Sequence, residues 1–190
     1  MPRSKKDIPE RVLENQVWLR RVGSDGLSLC FATAFKLEDK VDLTAFAKSL
    51  PEGVVLCNPK IVAGISHIEA ILLQTREYWL RNQRLVHNGS IEILMRLAGK
   101  NQISEAVEAS GIKNTKAVAL LGLVSSEEEM ENAVGEFLSA FKSARQNVRL
   151  LELNQEKAKW LKKFHNLPLS LSDKELLIAL QELSVLLIFK

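Results

Sequence analysis

The sequence predicts an α/β (α+β) fold: a small mixed central sheet with an N-terminal hairpin, covered by several helices. Three observations carry that reading. Residues 16–22 and 27–34 alternate in polarity around a Gly/Ser/Asp turn. Residues 54–57 and 117–124 are apolar runs with no helical polar face. The segments between and after them repeat their apolar residues at helical spacing, so helices layer onto strands.

The chain has 190 residues, enough for one domain with a real core. Its first fifteen residues are polar and read as a flexible segment; 16–190 reads as a single domain. Val17, Leu19 and Arg21 alternate with Trp18, Arg20 and Val22 ahead of Gly23-Ser24-Asp25-Gly26, and Leu27, Leu29 and Phe31 alternate after it. That is a hairpin. Asp42 caps a short helix carrying Leu43, Phe46 and Ala47, ended by Pro51. Gly53 to Cys57 is a brief buried strand stopped by Asn58-Pro59.

Ser66 opens a long helix to about Asn82. At 100° per residue Ile68, Ile71, Leu72, Thr75, Tyr78 and Trp79 share one arc, the expected core face. His67, Glu69, Arg76, Glu77, Arg81 and Arg84 fall on the other half, with Leu73 and Leu80 as apolar surface between the charges. Asn88-Gly89-Ser90 caps a helix that is apolar nearly all round, interrupted by Glu92 and Arg96, four apart and in the favourable order. Gly99-Lys100 breaks it. Asn101 is expected to cap the next helix, with Ile103, Ala106 and Val107 inward and a Gly111-Ile112 stop.

At this point the stretch 97–124 resembles a DNA-binding helix-turn-helix. A DNA reader would continue from Lys113-Asn114-Thr115 into a second, groove-filling helix. The chain runs instead into Ala117-Val118-Ala119-Leu120-Leu121-Gly122-Leu123-Val124, a strand pattern. Ser125-x-x-Glu128 and Ser126-x-x-Glu129 are overlapping capping boxes before a helix with Met130, Ala133, Val134, Phe137, Leu138 and Phe141. Val148 to Leu153 reads as a returning strand. Asn154 caps a lysine-rich helix bearing Trp160, Leu161 and Phe164. Ser172-x-x-Glu175 caps the last helix, whose apolar face includes Leu176, Leu180, Leu183 and Leu187.

Composition excludes several classes. No apolar run reaches the roughly 18 residues of a membrane span, and the N-terminus lacks the apolar region of a signal peptide. The expected location is cytoplasmic. Cys30 and Cys57 read as buried thiols, and His67, His87 and His165 lack metal-ligand spacing. No phosphate loop, nucleophile elbow or paired-carboxylate motif is present. The expectation is no enzyme activity, no cofactor, no metal and no small-molecule substrate. Glu92 with Arg96 one turn on reads as a structural ion pair. A net charge of +3 is modest, but it is unevenly spread. Residues 60–116 hold eight basic and five acidic side chains, whereas 117–152 hold three basic and six acidic.

Four stretches in order, Gly64-Ile65-Ser66-His67-Ile68-Glu69-Ala70, Asn88-Gly89-Ser90-Ile91-Glu92-Ile93-Leu94, Gly99-Lys100-Asn101-Gln102-Ile103-Ser104-Glu105-Ala106 and Gly111-Ile112, carry a resemblance. They resemble the small kinase-binding subunit of the KEOPS complex (the TPRKB family). The likeness covers about 16–190 in layout, with specific motifs between 64 and 112. Two positions depart from the family's pattern: Asn101 stands where an arginine is usual, beside Lys100, and Gly89 replaces a usual apolar residue. The resemblance implies a non-catalytic subunit of the machinery that makes threonylcarbamoyl adenosine in tRNA. Such a subunit binds the KEOPS kinase subunit and holds tRNA by its 3′ CCA end. The candidate tRNA contacts here are His67, Arg76, Arg81, Arg84, Lys100 and Gln102; the candidate partner contacts are Leu73, Leu80 and Leu187. The alternative from another class is a helix-turn-helix-like DNA-binding regulator.

Overall fold

The structure is a computed structural model that describes residues 11–13, 17–23 and 29–187. Its elements run β1 (Arg11–Leu13), β2 (Val17–Arg21), β3 (Leu29–Val41), α1 (Thr44–Ala47), β4 (Val54–Cys57), α2 (Ile65–Leu80), α3 (Gly89–Ala98), α4 (Ile103–Ser110), β5 (Thr115–Val124), α5 (Glu127–Ala140), β6 (Arg145–Gln146), α6 (Gln155–Phe164) and α7 (Asp173–Leu186). The strand order is β1-β2-β3-β5-β4, with β6 on β3. The α+β class holds. The sheet differs from the mixed one expected, because every pairing among the described residues is antiparallel.

Both faces of this sheet are covered, which explains why β3 and β5 are apolar on consecutive residues rather than alternating. Leu29, Phe31, Phe35 and Leu37 of β3, with Val118, Leu120 and Val124 of β5, face Met130, Ala133 and Phe137 of α5. Cys30, Ala32 and Ala34, with Ala119, Leu121 and Leu123, face Ile68, Ile71 and Leu72 of α2 and Ile93 and Leu97 of α3. The pleat sorts the charges too. Consecutive Arg20 and Arg21 reach opposite sides, the first pairing with Glu69 on α2 and the second with Glu127 on α5 at 3.4 Å. Cys30 and Cys57 are free, buried and separated by β5, which lies between their strands. Burial pushes both thiols up to about 12.

The hairpin between β2 and β3 forms as the alternation indicated. Its turn, residues 24–28, lies outside the described residues, as do 1–10, 14–16 and the tail 188–190. Within the segment read as flexible, Arg11–Leu13 is a strand paired with β2. Four helix caps follow the sequence, whereas at α1 Leu43 takes the N-cap position and Asp42, one residue earlier, accepts the Thr44 N–H at 2.9 Å. Asn88, Ser126 and Asn154 side chains accept from the N–H groups of Ile91, Glu129 and Lys157. Ser172 and Glu175 form a reciprocal capping box. On α5 the box is displaced by one residue, because the Glu129 carboxylate takes the Ser125 N–H rather than that of the cap.

Four readings are corrected. Gly64 rather than Ser66 precedes α2, with φ of 99°. Gln102 rather than Asn101 occupies the N-cap of α4, and its side chain makes no cap bond. On α4 only Ala106 and Ser110 are buried, whereas Ile103 and Val107 are exposed. The helix spans eight residues and packs against α3 through Ala106 beside Met95, which leaves Ile103 and Val107 on its open side. Residues 148–151 form a 3-10 turn, and the strand pairing passes to Arg145–Gln146 just before it. The stretch 115–124 is the strand β5 at the sheet's interior, so the second helix of a helix-turn-helix is not formed.

The centre of the helical layer is Glu92. Its carboxylate accepts from the Trp79 indole N–H at 2.8 Å and from Arg96 at 3.1 and 2.6 Å. Arg96 in turn donates to the Ser184 carbonyl on α7 at 3.3 Å and lies 4.6 Å over the Tyr78 ring. Both side chains of the ion pair are 0% exposed. Gly89 makes room for this arrangement, since a Cβ there would run into the Trp79 ring. Removing the acid strands a guanidinium and an indole N–H in the interior. Glu92→Ala is expected to cost about 3–5 kcal/mol in chemical denaturation. Glu92→Gln, which keeps an acceptor, should cost less; equal stability of Glu92→Ala and the parent would refute this role.

Candidate nucleic-acid interface

The six candidate contacts fall into three environments. His67 and Arg76 are not on an open polar face: they are 1% and 8% exposed. The helix is packed on both flanks of its core arc: Ser184 of α7 meets Gln74 on one side, and Arg76 lies on the other with Glu69, near Cys30 of β3. His67 Nδ1 accepts the Ala63 N–H at 3.2 Å, locking the ring as a brace at the start of α2. Arg76 lies beside Glu77 at 3.6 Å. Neither presents a charge to a phosphate.

Arg81 and Arg84 sit at the C-terminal end of α2 and are held by carboxylates. Arg81 meets Glu77 at 3.4 Å. Arg84 donates to Glu52 at 3.0 Å and to the His87 carbonyl at 3.3 Å, with its guanidinium 4.8 Å over the Trp79 ring. Arg84 thus ties the chain after α2 to the residues just ahead of β4, whereas Arg81 pairs within its own helix.

Lys100 stands apart from them. Gly99 adopts φ of 61°, and the Lys100 N–H bonds back to the Met95 carbonyl at 3.0 Å, which is the left-handed stop that ends α3. The turn aims the Lys100 side chain at α6, where its Nζ lies 5.2 Å over the Phe164 ring. Phe164 stacks on Trp160 with centroids 4.8 Å apart and planes at 14°. Both rings are half-buried. A cavity of about 430 Å³ opens beside them, lined by Lys60, Lys100, Glu105, Glu108, Trp160 and Phe164. Gln102 is exposed on the turn after Lys100. A cation over a flat aromatic pair can hold an unstacked base and its phosphate together.

Trp160 and Phe164 are the functional candidates that sequence reasoning missed. Their signal was present: two aromatics four apart on a helix with Lys159 and Lys163. The partner-contact candidates also separate. Leu80 is exposed, Leu73 is half-buried against the core under α2, and Leu187 is buried with Met95 and Ala106. Leu187 therefore docks on its own chain. Among the described residues no group of three metal-ligating side chains exists, and no helix is long and apolar enough to cross a membrane. No family model matches the chain, and no curated protein is similar enough to count as a relative.

His165 ends α6, edge-on to Phe164 at 4.8 Å. Burial holds His67 down to about 3, helped by His165, and holds His165 down to about 4, helped by Lys100. Both are neutral in the native state, whereas an unfolded histidine titrates near 6.5. Between these values the unfolded chain binds protons that the native chain does not, so stability falls as pH drops below about 6.5. Melting temperatures should decline from pH 6.5 to 4, and His165→Asn should flatten the decline by about one proton's worth of slope. A variant with the parent's pH profile would count against a buried, neutral His165.

Proposed function

We propose that this protein is a non-catalytic accessory subunit of the KEOPS tRNA threonylcarbamoyl adenosine machinery, one that binds the kinase subunit and recruits tRNA through its 3′ CCA end. The support from sequence is the ordered resemblance across residues 64–112. The observation that carries the reading is the cation over a stacked pair, Lys100 on Phe164 and Trp160, at the turn that the resemblance singles out. The surface suits a single strand. Unpaired bases need flat rings, and a duplex DNA reader needs a projecting helix that β5 replaces.

The kinase partner would meet apolar surface that the fold leaves open. Leu80 at the end of α2 and Ile178 and Leu186 on α7 are large, exposed and apolar. A specific interface there should bury at least about 1,000 Å² in total.

Binding to intact tRNA and to tRNA trimmed of its CCA tests the reading directly. Trimming is expected to weaken binding more than any single substitution. Lys100→Ala should lower the salt slope by roughly 0.7 for one single-strand phosphate. Phe164→Ala should cost about 1–3 kcal/mol of binding. Arg76→Ala, in contrast, should lower the melting temperature. Equal affinity for trimmed and intact tRNA, or separate elution of this protein and the kinase subunit at micromolar concentration, would overturn the corresponding half of the proposal.

A further inference from the structure

β4 is an edge strand, and its outer side floors a groove of about 570 Å³ between α1, α3 and α4. One contact fixes the direction of its amides. The Leu123 N–H donates to the Gly53 carbonyl at 2.9 Å. The register then sets Val54 opposite Gly122, Val55 opposite Leu121 and Leu56 opposite Leu120. Antiparallel pairs alternate between bonded and non-bonded, so Val55 and Cys57 turn their amides to β5. Val54, Leu56 and Asn58 turn theirs outward.

Two of the outward groups are closed from within. The Val54 N–H donates to the Pro51 carbonyl at 3.1 Å, and the Asn58 N–H to the Ser110 carbonyl at 2.6 Å. Between them lie the Val54 carbonyl, the Leu56 N–H and the Leu56 carbonyl, which have no partner among the described residues. An unpaired strand edge offers these groups to an incoming ligand of complementary pattern. The walls above them are apolar, with Leu50, Ile91, Leu94, Val107 and Ile112, and Lys48 is an exposed lining residue.

We infer that this groove is a binding site for adenine. The open edge reads acceptor, donor, acceptor, and its ligand must read donor, acceptor, donor. Adenine offers its amino group to the Val54 carbonyl and its N1 to the Leu56 N–H, and it turns only a C–H toward the Leu56 carbonyl. Cytosine would set its O2 against that carbonyl, and guanine or uracil would present an N–H to the Leu56 N–H. A peptide strand does not fit, because strand addition needs alternate open groups over several residues and both flanking donors are closed. The volume is within the range of small-ligand pockets. The inference rests on the strand edge alone and does not require the tRNA reading.

The test follows the Leu56 amide by NMR in the full chain during titration with nucleosides. Adenosine should move it, 2,6-diaminopurine riboside should bind more tightly by supplying the third donor, and inosine should bind about tenfold more weakly or worse. Val107 is 37% exposed on the wall, so Val107→Trp should fill the groove and abolish the shift without lowering the melting temperature. Adenosine monophosphate and a short RNA ending in adenosine distinguish a free nucleotide from a strand end. A shift with either supports the site and identifies its source. An unmoved Leu56 amide at millimolar levels of both, or inosine binding as well as adenosine, would overturn it. Loss of tRNA binding on trimming with Leu56 unmoved would sink this site and leave the tRNA reading standing.

Discussion

The helical layer depends on one buried ion pair. Glu92 and Arg96 lie one turn apart on α3, and between them they reach Trp79 and Tyr78 on α2 and Ser184 on α7. Three helices thus converge on two charges. A buried pair of this kind contributes little net stability compared with an apolar replacement, because desolvation offsets most of the attraction. What it supplies is geometry. An all-apolar α3 could rotate against its neighbours, whereas the carboxylate accepts three directed bonds at once and fixes α3 relative to α2.

That orientation sets where the chain goes next. With α3 fixed, Gly99 ends it beside α6, where His165 packs against the glycine too closely for a side chain to be added without displacement. Lys100 then projects over Phe164. At the other end of α3, Gly89 lets Trp79 pack under the helix start, and Ser90 accepts the Gly53 N–H at 3.1 Å. The same helix therefore places the candidate interface at its C-terminus and pins the start of the edge strand at its N-terminus.

Much of this fold was legible because its signals are local. Caps at Asn88, Ser126, Asn154 and Ser172 need only one side chain and the next turn. The strands were legible as apolar runs, but their direction was not, since antiparallel order depends on pairings far apart in sequence such as Phe31 with Gly122. Helix faces were legible where one layer covers them and failed where two do. Arg76 and His67 sit on the half of α2 that looked polar, yet both are buried, His67 against the turn at Ala63 and Arg76 on the flank near Cys30 of β3. On α4 the error is reversed: Ile103 and Val107 look inward by period and are exposed, because nothing packs over so short a helix. At the candidate interface Lys100 was legible from the glycine before it. Its ring partner was not, because α6 arrives from about sixty residues downstream and no local pattern joins them.

The electrostatics of the surface follow from the same packing. Of the cations in the positively charged middle of the chain, Arg96 is sealed inside, Arg76 is buried, and Arg81 and Arg84 are held by Glu77 and Glu52. Lys100 is set over a ring instead of a carboxylate, and Glu105 and Glu108 share its cavity. A net charge of +3 over 190 residues supplies no broad attractive field. Affinity for a polyanion through such a surface cannot come mainly from counterion release, which scales with the number of phosphates neutralised. It has to come from shape and stacking, where flat rings and directed backbone groups act over a few nucleotides. Flat rings and directed backbone groups favour unpaired bases over duplex, because the bases of a duplex keep their faces stacked on one another.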